Sequence, residues 1–203
     1  MKTYDGPAQV ETKEDDSPLT QADRAAHECI VAALTALTPD IPVLSEESED
    51  ISTEERMSWN RFWLVAPLAG TKEFIKKNGE FTVNIALIVC NEAQIGLINA
   101  PVMKNIYWGH KKHGAHMQNQ NGIITQLKVS ETIGNTRRIA ISRSHKSDDL
   151  EKYLRNIKEY KEIGISLLYS LQLALNEIND KNVSIIPQDS GTGDKEKLND
   201  AIK

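Results

Sequence analysis

Phe62-Trp63-Leu64-Val65-Ala66-Pro67-Leu68-Ala69-Gly70-Thr71-Lys72-Glu73-Phe74 is the stretch that decides the architecture. Its first four residues form a continuous apolar run, the pattern of a buried strand. Pro67 and Gly70 then predict a break and a turn. Upstream, Val43-Leu44 predicts a short strand leading into Ser45-Glu46-Glu47-Ser48, and the acidic stretch from Glu46 to Glu55 is expected to be mostly solvated loop. Downstream, Phe81 to Val89 predicts a strand, Asn91-Glu92-Ala93-Gln94 a hairpin loop, and Ile95 to Val102 the returning strand. Ile106-Tyr107-Trp108 and the residues around Met117 predict a further hairpin, and Arg138 to Ser142 a short strand.

Helical patterns flank these strands. Thr20 can cap a helix, with Asp23 three residues on as in a capping box. Ile30, Val31, Leu34 and Leu37 then fall on one face, and Pro39 and Pro42 stop the helix. Ser147 can cap a second helix, with Asp148 and Asp149 at the positive end of its dipole and Leu150, Tyr153, Leu154 and Ile157 along one face. A third helix is predicted over Ser166 to Ile178, and a strand over Val183 to Ile186. Helix, several strands, then helices make a layered mixed α/β domain. We expect a single domain over 1–187 and a polar, Gly- and charge-rich tail over 188–203.

Composition narrows the functional classes. A chain of 203 residues, 39% apolar and 26% charged, can bury one ordinary core. Lys and Arg total 24 against 29 Asp and Glu, a formal net charge of −5, with no long basic stretch. That argues against a partner that is a nucleic acid polymer. The longest apolar run, near Ile85–Cys90, is far shorter than the roughly 20 residues a bilayer span needs, so no transmembrane segment is expected. Met1 to Asp5 lacks an apolar secretory core. Cys29 and Cys90 stand far apart in apolar settings and are expected to be buried, reduced thiols. The expected location is cytoplasmic.

The central stretch carries more than a fold. Leu44-Ser45-Glu46-Glu47, then Trp63 to Phe74, then Gly79-Glu80-Phe81-Thr82-Val83-Asn84-Ile85-Ala86-Leu87 closely resemble the inositol monophosphatase superfamily, and within it the CysQ-type 3'(2'),5'-bisphosphate nucleotidases. The resemblance extends back through Ser17-Pro18-Leu19-Thr20-Gln21-Ala22-Asp23 and forward through Ala100-Pro101-Val102-Met103 and Ile141-Ser142-Arg143-Ser144-His145, so it covers roughly 4–166. It implies a mixed α+β fold layered αβαβα, here shortened at the N-terminus and divergent at the C-terminus. It implies a magnesium-dependent phosphatase that removes the 3'-phosphate from 3'-phosphoadenosine 5'-phosphate, a by-product of sulfate activation. Mg2+ is a hard cation that takes oxygen ligands in octahedral geometry, and paired ions clamp a phosphate and activate a water. A member of this family must therefore present several carboxylates at a strand end.

Position by position, the resemblance implies that Glu46 is a metal ligand and that the backbone carbonyl of Leu68 is another. It implies that Gly70 and Thr71 let the loop approach the phosphate, with Thr71 orienting the attacking water. Asp23 matches a residue that supports that threonine or a further metal. His145 matches a contact to the nucleotide. The departures fall on the chemistry. The family loop is Asp-Pro-(Leu/Ile)-Asp-Gly-Thr, and Ala66 and Ala69 stand at its two Asp positions. Gly164-Ile165-Ser166-Leu167-Leu168 lacks the Ser and Lys of the family's Gly-Ser-Ser-Leu-Lys, and no segment matches its later Trp-Asp metal motif. Of the carboxylates in the family's two-metal core, Glu46 alone keeps its place. Losing an outer-sphere partner of a metal costs about 10–100-fold in affinity or activity, and losing direct ligands costs more. The expectation is an inactive or severely impaired nucleotidase in which Mg2+ binding is weak or absent. The alternatives are a non-catalytic nucleotide-binding or interaction protein, or a truncated or fused family fragment.

Three further motifs bear on chemistry. His110, His113 and His116 are spaced as a possible zinc or nickel site, or as an exposed hairpin turn. Asp189 to Lys195 is Gly-rich but lacks P-loop spacing. Lys72, Lys76 and Lys77 can steer an anionic nucleotide, or serve as ordinary solvated charges.

Overall fold

The structure is a computed structural model and describes residues 4, 6, 10–12, 18–48, 51–128, 137–141, 148–155, 157 and 160–164. β1 (Val10–Thr12) and β2 (Pro18–Thr20) pair antiparallel, and Thr20 then caps α1 (Gln21–Leu37). The capping box forms as expected. Thr20 Oγ1 accepts from the backbone N of Ala22 at 3.2 Å and of Asp23 at 3.4 Å, and Asp23 Oδ2 accepts from the Thr20 backbone N at 2.7 Å. α1 ends before Thr38 and Pro39, because proline can neither donate the next helical hydrogen bond nor leave its predecessor helical. Of the apolar face expected on α1, Leu34 is buried, Ile30 and Val31 are half-buried, and Leu37 is 74% exposed.

The main sheet has seven strands in the order β3-β4-β5-β6-β7-β8-β9. β3 (Val43–Ser45) runs parallel to β4 (Arg61–Ala69), and every later neighbour is antiparallel. Between β3 and β4 lies α2 (Thr53–Met57), inside the acidic stretch expected to be loop. Ser52 caps it by accepting from Glu55 N at 3.1 Å, and Glu54 and Glu55 occupy the electropositive first turn.

β4 does not break at Pro67. It continues to Ala69, with its register to β5 (Thr82–Val89) shifting between Ala66 and Ala69. A register irregularity is where a strand tolerates a proline, because no ladder hydrogen bond is asked of its nitrogen. β5 turns into β6 (Glu92–Ala100) through Cys90 and Asn91, with φ of 51° and 62°. Two consecutive left-handed residues make the tight hairpin turn whose twist suits antiparallel strands, so the loop is shorter and earlier than Asn91–Gln94. Cys90 is exposed on that turn and Cys29 is exposed on α1, correcting the expectation of buried thiols. β7 (Asn105–His110) and β8 (Gly114–Gln118) form the further hairpin, and β9 (Ile124–Leu127) lies at the far edge.

Two apolar clusters hold this framework. Phe62, Leu64, Ala86 and Ile88 interleave across β4 and β5, with Leu44, Trp59 and Ala93 against them. Leu68, Phe74, Phe81 and Ala22 form the other, with Tyr4 packed against it. Phe74, Phe81 and Tyr4 make an aromatic trio with ring centroids 5.0–5.2 Å apart. Full burial of one such ring is worth about 1.5–3 kcal/mol.

β10 (Arg137–Ile141) and β11 (Tyr160–Gly164) pair in parallel, with α4 (Asp148–Leu154) between them in sequence. The helix is shorter than the pattern to Ile157 suggested, Tyr153 is exposed, and β11 was not foreseen. The mixed α+β class stands. The expected helix over 166–178, the strand over 183–186, the tail over 188–203 and His145 lie outside the described residues. Among the described residues, no helix is long and apolar enough to cross a membrane.

Candidate functional site

β3 and β4 are parallel, so their C-terminal ends lie side by side. Val43, Leu44 and Ser45 pair with Trp63, Leu64 and Val65. Continuing that register by one residue sets Glu46 beside Ala66, and Glu46 N donates to Val65 O at 3.0 Å. Glu46 is exposed. On the other side of β4, Ala66 pairs with Asn84 and Ala69 with Thr82. The edge where the resemblance implies carboxylates thus presents one carboxylate and two methyl groups.

The turn after Ala69 is built as the sequence requires. Gly70 has φ 98° and ψ 46° and starts α3 (Thr71–Ile75). A Cβ at Gly70 would lie 3.1 Å from Glu80 O and 3.4 Å from Phe81 Cα, so both the conformation and the space call for glycine. Phe74 N donates to Gly70 O at 2.9 Å and ties the turn down, while Phe74 and the buried Leu68 sit in the aromatic cluster behind it.

Thr71 Oγ1 lies 3.4 Å from Asp23 Oδ1 and 3.5 Å from Leu68 O, so the three positions to which the resemblance gives metal and water handling come together. Asp23 is 2% exposed, and its carboxylate also accepts from Thr20 N and Thr20 Oγ1, the latter at 2.5 Å. Its oxygens are thus engaged in holding the start of α1 to the Thr71 turn.

Lys72, Lys76 and Lys77 are exposed, as expected. Lys77 Nζ donates to Gly6 O at 2.5 Å and lies 5.9 Å from the Tyr4 ring centroid, so it holds Tyr4 and Gly6 near the end of α3. The three histidines do not converge. His110 and His113 face one another with centroids 4.5 Å apart, whereas His116 stacks on Trp108. His110 Nδ1 accepts from Lys112 N at 3.0 Å. Among the described residues, no group of three or more His, Cys, Asp or Glu is placed to hold a metal ion. Sequence reasoning missed His27, whose Nδ1 lies 2.8 Å from Ser45 Oγ. Its spacing of four from Asp23, which puts both on one face of α1, was the signal available.

Comparison with known proteins places the chain in a family. The model of the inositol monophosphatase family matches residues 1–188. The 3'(2'),5'-bisphosphate nucleotidase CysQ of Salmonella typhimurium is 46% identical over 175 residues, covering 84% of this chain and 69% of the relative. The crystal structure of CysQ from Bacteroides thetaiotaomicron superposes with a TM-score of 0.67 at 34% identity, covering 81% of this chain and 66% of that one. At 19% identity, where likeness speaks for the fold alone, an IMPase/NADP phosphatase complexed with Mg2+ and phosphate superposes with a TM-score of 0.64, covering 84% of this chain and 63% of that one. The chain spans about two thirds of the length of these relatives.

Proposed function

The chain belongs to the inositol monophosphatase family, and on that premise we propose that it is a CysQ-type bisphosphate nucleotidase by descent whose hydrolysis of 3'-phosphoadenosine 5'-phosphate to AMP and phosphate is abolished or severely impaired. The supporting observation is the end of β4. Ala66 and Ala69 occupy the positions beside Glu46 and before Gly70 where a magnesium centre needs carboxylate oxygen. A methyl group supplies neither charge nor lone pair, and Mg2+, which gives up its water reluctantly, is held poorly by a single exposed carboxylate. Asp23 lies at the start of α1, where its oxygens accept from Thr20 and Thr71, and it adds no carboxylate at positions 66 and 69. The residues present therefore do not fit a two-metal centre, and no hydrolytic step is assigned to them.

The 3'-phosphorylated adenine nucleotide is the expected ligand class. The intact Gly70–Thr71 turn favours a second reading, in which the chain binds such a nucleotide without turning it over. A phosphate-release assay on 3'-phosphoadenosine 5'-phosphate with magnesium, run beside calorimetric titration of the nucleotide, tests both readings. We expect no turnover above background. Turnover at about 1 per second, within the ordinary enzymatic range, overturns the main reading. Measurable affinity without turnover supports the second.

A further inference from the structure

We propose that His27 is a positioning residue for Glu46, through the hydrogen bond between its Nδ1 and the buried hydroxyl of Ser45. The inference rests on the reading above that Glu46 belongs to the family site. α1 reaches that site at two points one helical turn apart. Asp23 meets Thr71 at 3.4 Å, at the turn after β4, and His27 meets Ser45 at 2.8 Å, at the end of β3. Residues four apart share a helix face, so one rigid element clamps both strand ends and fixes the spacing between Glu46 and Thr71.

Ser45 is 5% exposed, and a buried hydroxyl is normally hydrogen-bonded. His27 can satisfy it in either protonation state, because Nδ1 accepts from the hydroxyl when unprotonated and donates to it when protonated. The residues after Ser45 depend on the same anchor. Ser48 N donates to Ser45 O at 3.0 Å, and Ser45 N donates to Ser48 Oγ at 3.3 Å. Glu46 sits inside that closed turn, with its own N–H on Val65 O. Its backbone is thus held to β4 by one bond, and the turn around it is held to α1 by His27. The frame that would aim Glu46 has persisted beside Ala66 and Ala69.

The test has two arms. In the first, hydrogen exchange is measured in the full chain for His27→Ala, His27→Asn and Ser45→Ala. Loss of a net hydrogen bond should speed exchange at Glu46, Glu47 and Ser48 by about fivefold, with Thr71–Phe74 unchanged. Asn places an amide near the position of Nδ1 and should restore protection to within about twofold. Where His27→Ala is too unstable to measure, Ser45→Ala removes the same bond from the other side. Unchanged exchange at Glu46–Ser48, or acceleration spread evenly through the domain, overturns the proposal. In the second arm, the same changes are made in the Ala66→Asp/Ala69→Asp protein and magnesium affinity is titrated. His27→Ala should weaken it by about tenfold and His27→Asn should recover most of it, as for outer-sphere partners of metal ligands. Equal affinity overturns the proposal. Failure of the Ala66→Asp/Ala69→Asp protein to bind magnesium at all counts against the functional reading instead, and leaves the exchange arm to decide on His27.

Discussion

Restoring Asp at positions 66 and 69 should make the protein less stable without magnesium and more stable with it. Neighbouring strands are about 4.8 Å apart, and the register sets residue 66 beside Glu46. Two carboxylates about 5 Å apart repel by about 3 kcal/mol at an effective dielectric constant of 20 and by about 1 kcal/mol in bulk water. Glu46 is exposed, so solvent screening favours the lower figure for that pair. A repulsion of about 1–3 kcal/mol, at about 2–4 °C per kcal/mol for a chain of this size, lowers the unfolding midpoint by about 2–12 °C in EDTA. Magnesium at a hundred times its Kd contributes about 2.7 kcal/mol, enough to return about 5–10 °C. The assay is thermal unfolding of both proteins in EDTA and in excess magnesium. The unaltered chain should show no magnesium-dependent shift, and the double variant a clear one. A magnesium shift in the unaltered chain, or a folded double variant without one, refutes the reasoning about oxygen supply.

Three more perturbations separate the frame from the chemistry. Asp23→Ala removes the capping box and the Thr71 tether and leaves Thr20 N buried without its acceptor, so urea unfolding should show a loss of about 2–4 kcal/mol, with Asp23→Asn costing less. Gly70→Ala must place a Cβ 3.1 Å from Glu80 O at φ 98°, and should cost about 1–3 kcal/mol by the same measurement. The hydrogen bond from Lys111, and then its charge, hold the Glu92 carboxyl below its ordinary value. Because the folded-state value is the depressed one, this contribution is present above the ordinary carboxyl range and is lost as pH falls through the folded value. Glu92→Gln should therefore lower the urea midpoint slightly at neutral pH and low salt. The difference should vanish in strong acid or in molar salt, which screens an exposed pair.

Much of the frame was legible in the sequence because its signals are local. Thr20 and Asp23 announce a capping box, Pro39 ends α1, and the apolar-rich stretch from Phe81 to Val89 announces a strand. The misses are places where tertiary context overrides a local cue. Pro67 signals a break, yet a shift in pairing lets β4 absorb it, and Pro67 ends among the most deeply buried residues. Cys90 stands in an apolar run, yet the hairpin turns there and exposes it. Leu37 completes a helical stripe, yet it lies in the last turn of α1 and stays in solvent. Ser52 and the acidic residues after it favour a helical turn that charge alone disguised as loop. At the candidate site, Glu46, Leu68, Gly70 and Thr71 rest on the resemblance, and the structure brings Leu68 and Thr71 together. The link from His27 to Ser45 was not, because it joins residues 18 apart through the packing of α1 on β3.

Why the turn keeps its form without its carboxylates follows from what holds it. Several bare carboxylates at a strand end repel one another, so a metal site of this kind contributes nothing to folding until cations arrive. The Gly70–Thr71 turn must therefore be shaped by other groups. Here those are the Gly70 backbone, the Phe74 N to Gly70 O bond, the Asp23–Thr71 link, and the burial of Leu68, Phe74 and Phe81 behind it. None of these involves the side chains at 66 and 69. Replacing Asp by Ala at both removes ligand oxygen and local repulsion together and leaves every one of those supports in place. On the proposed reading, the change that removes ligand oxygen also relieves repulsion at that edge, so the turn can keep its form around Ala66 and Ala69.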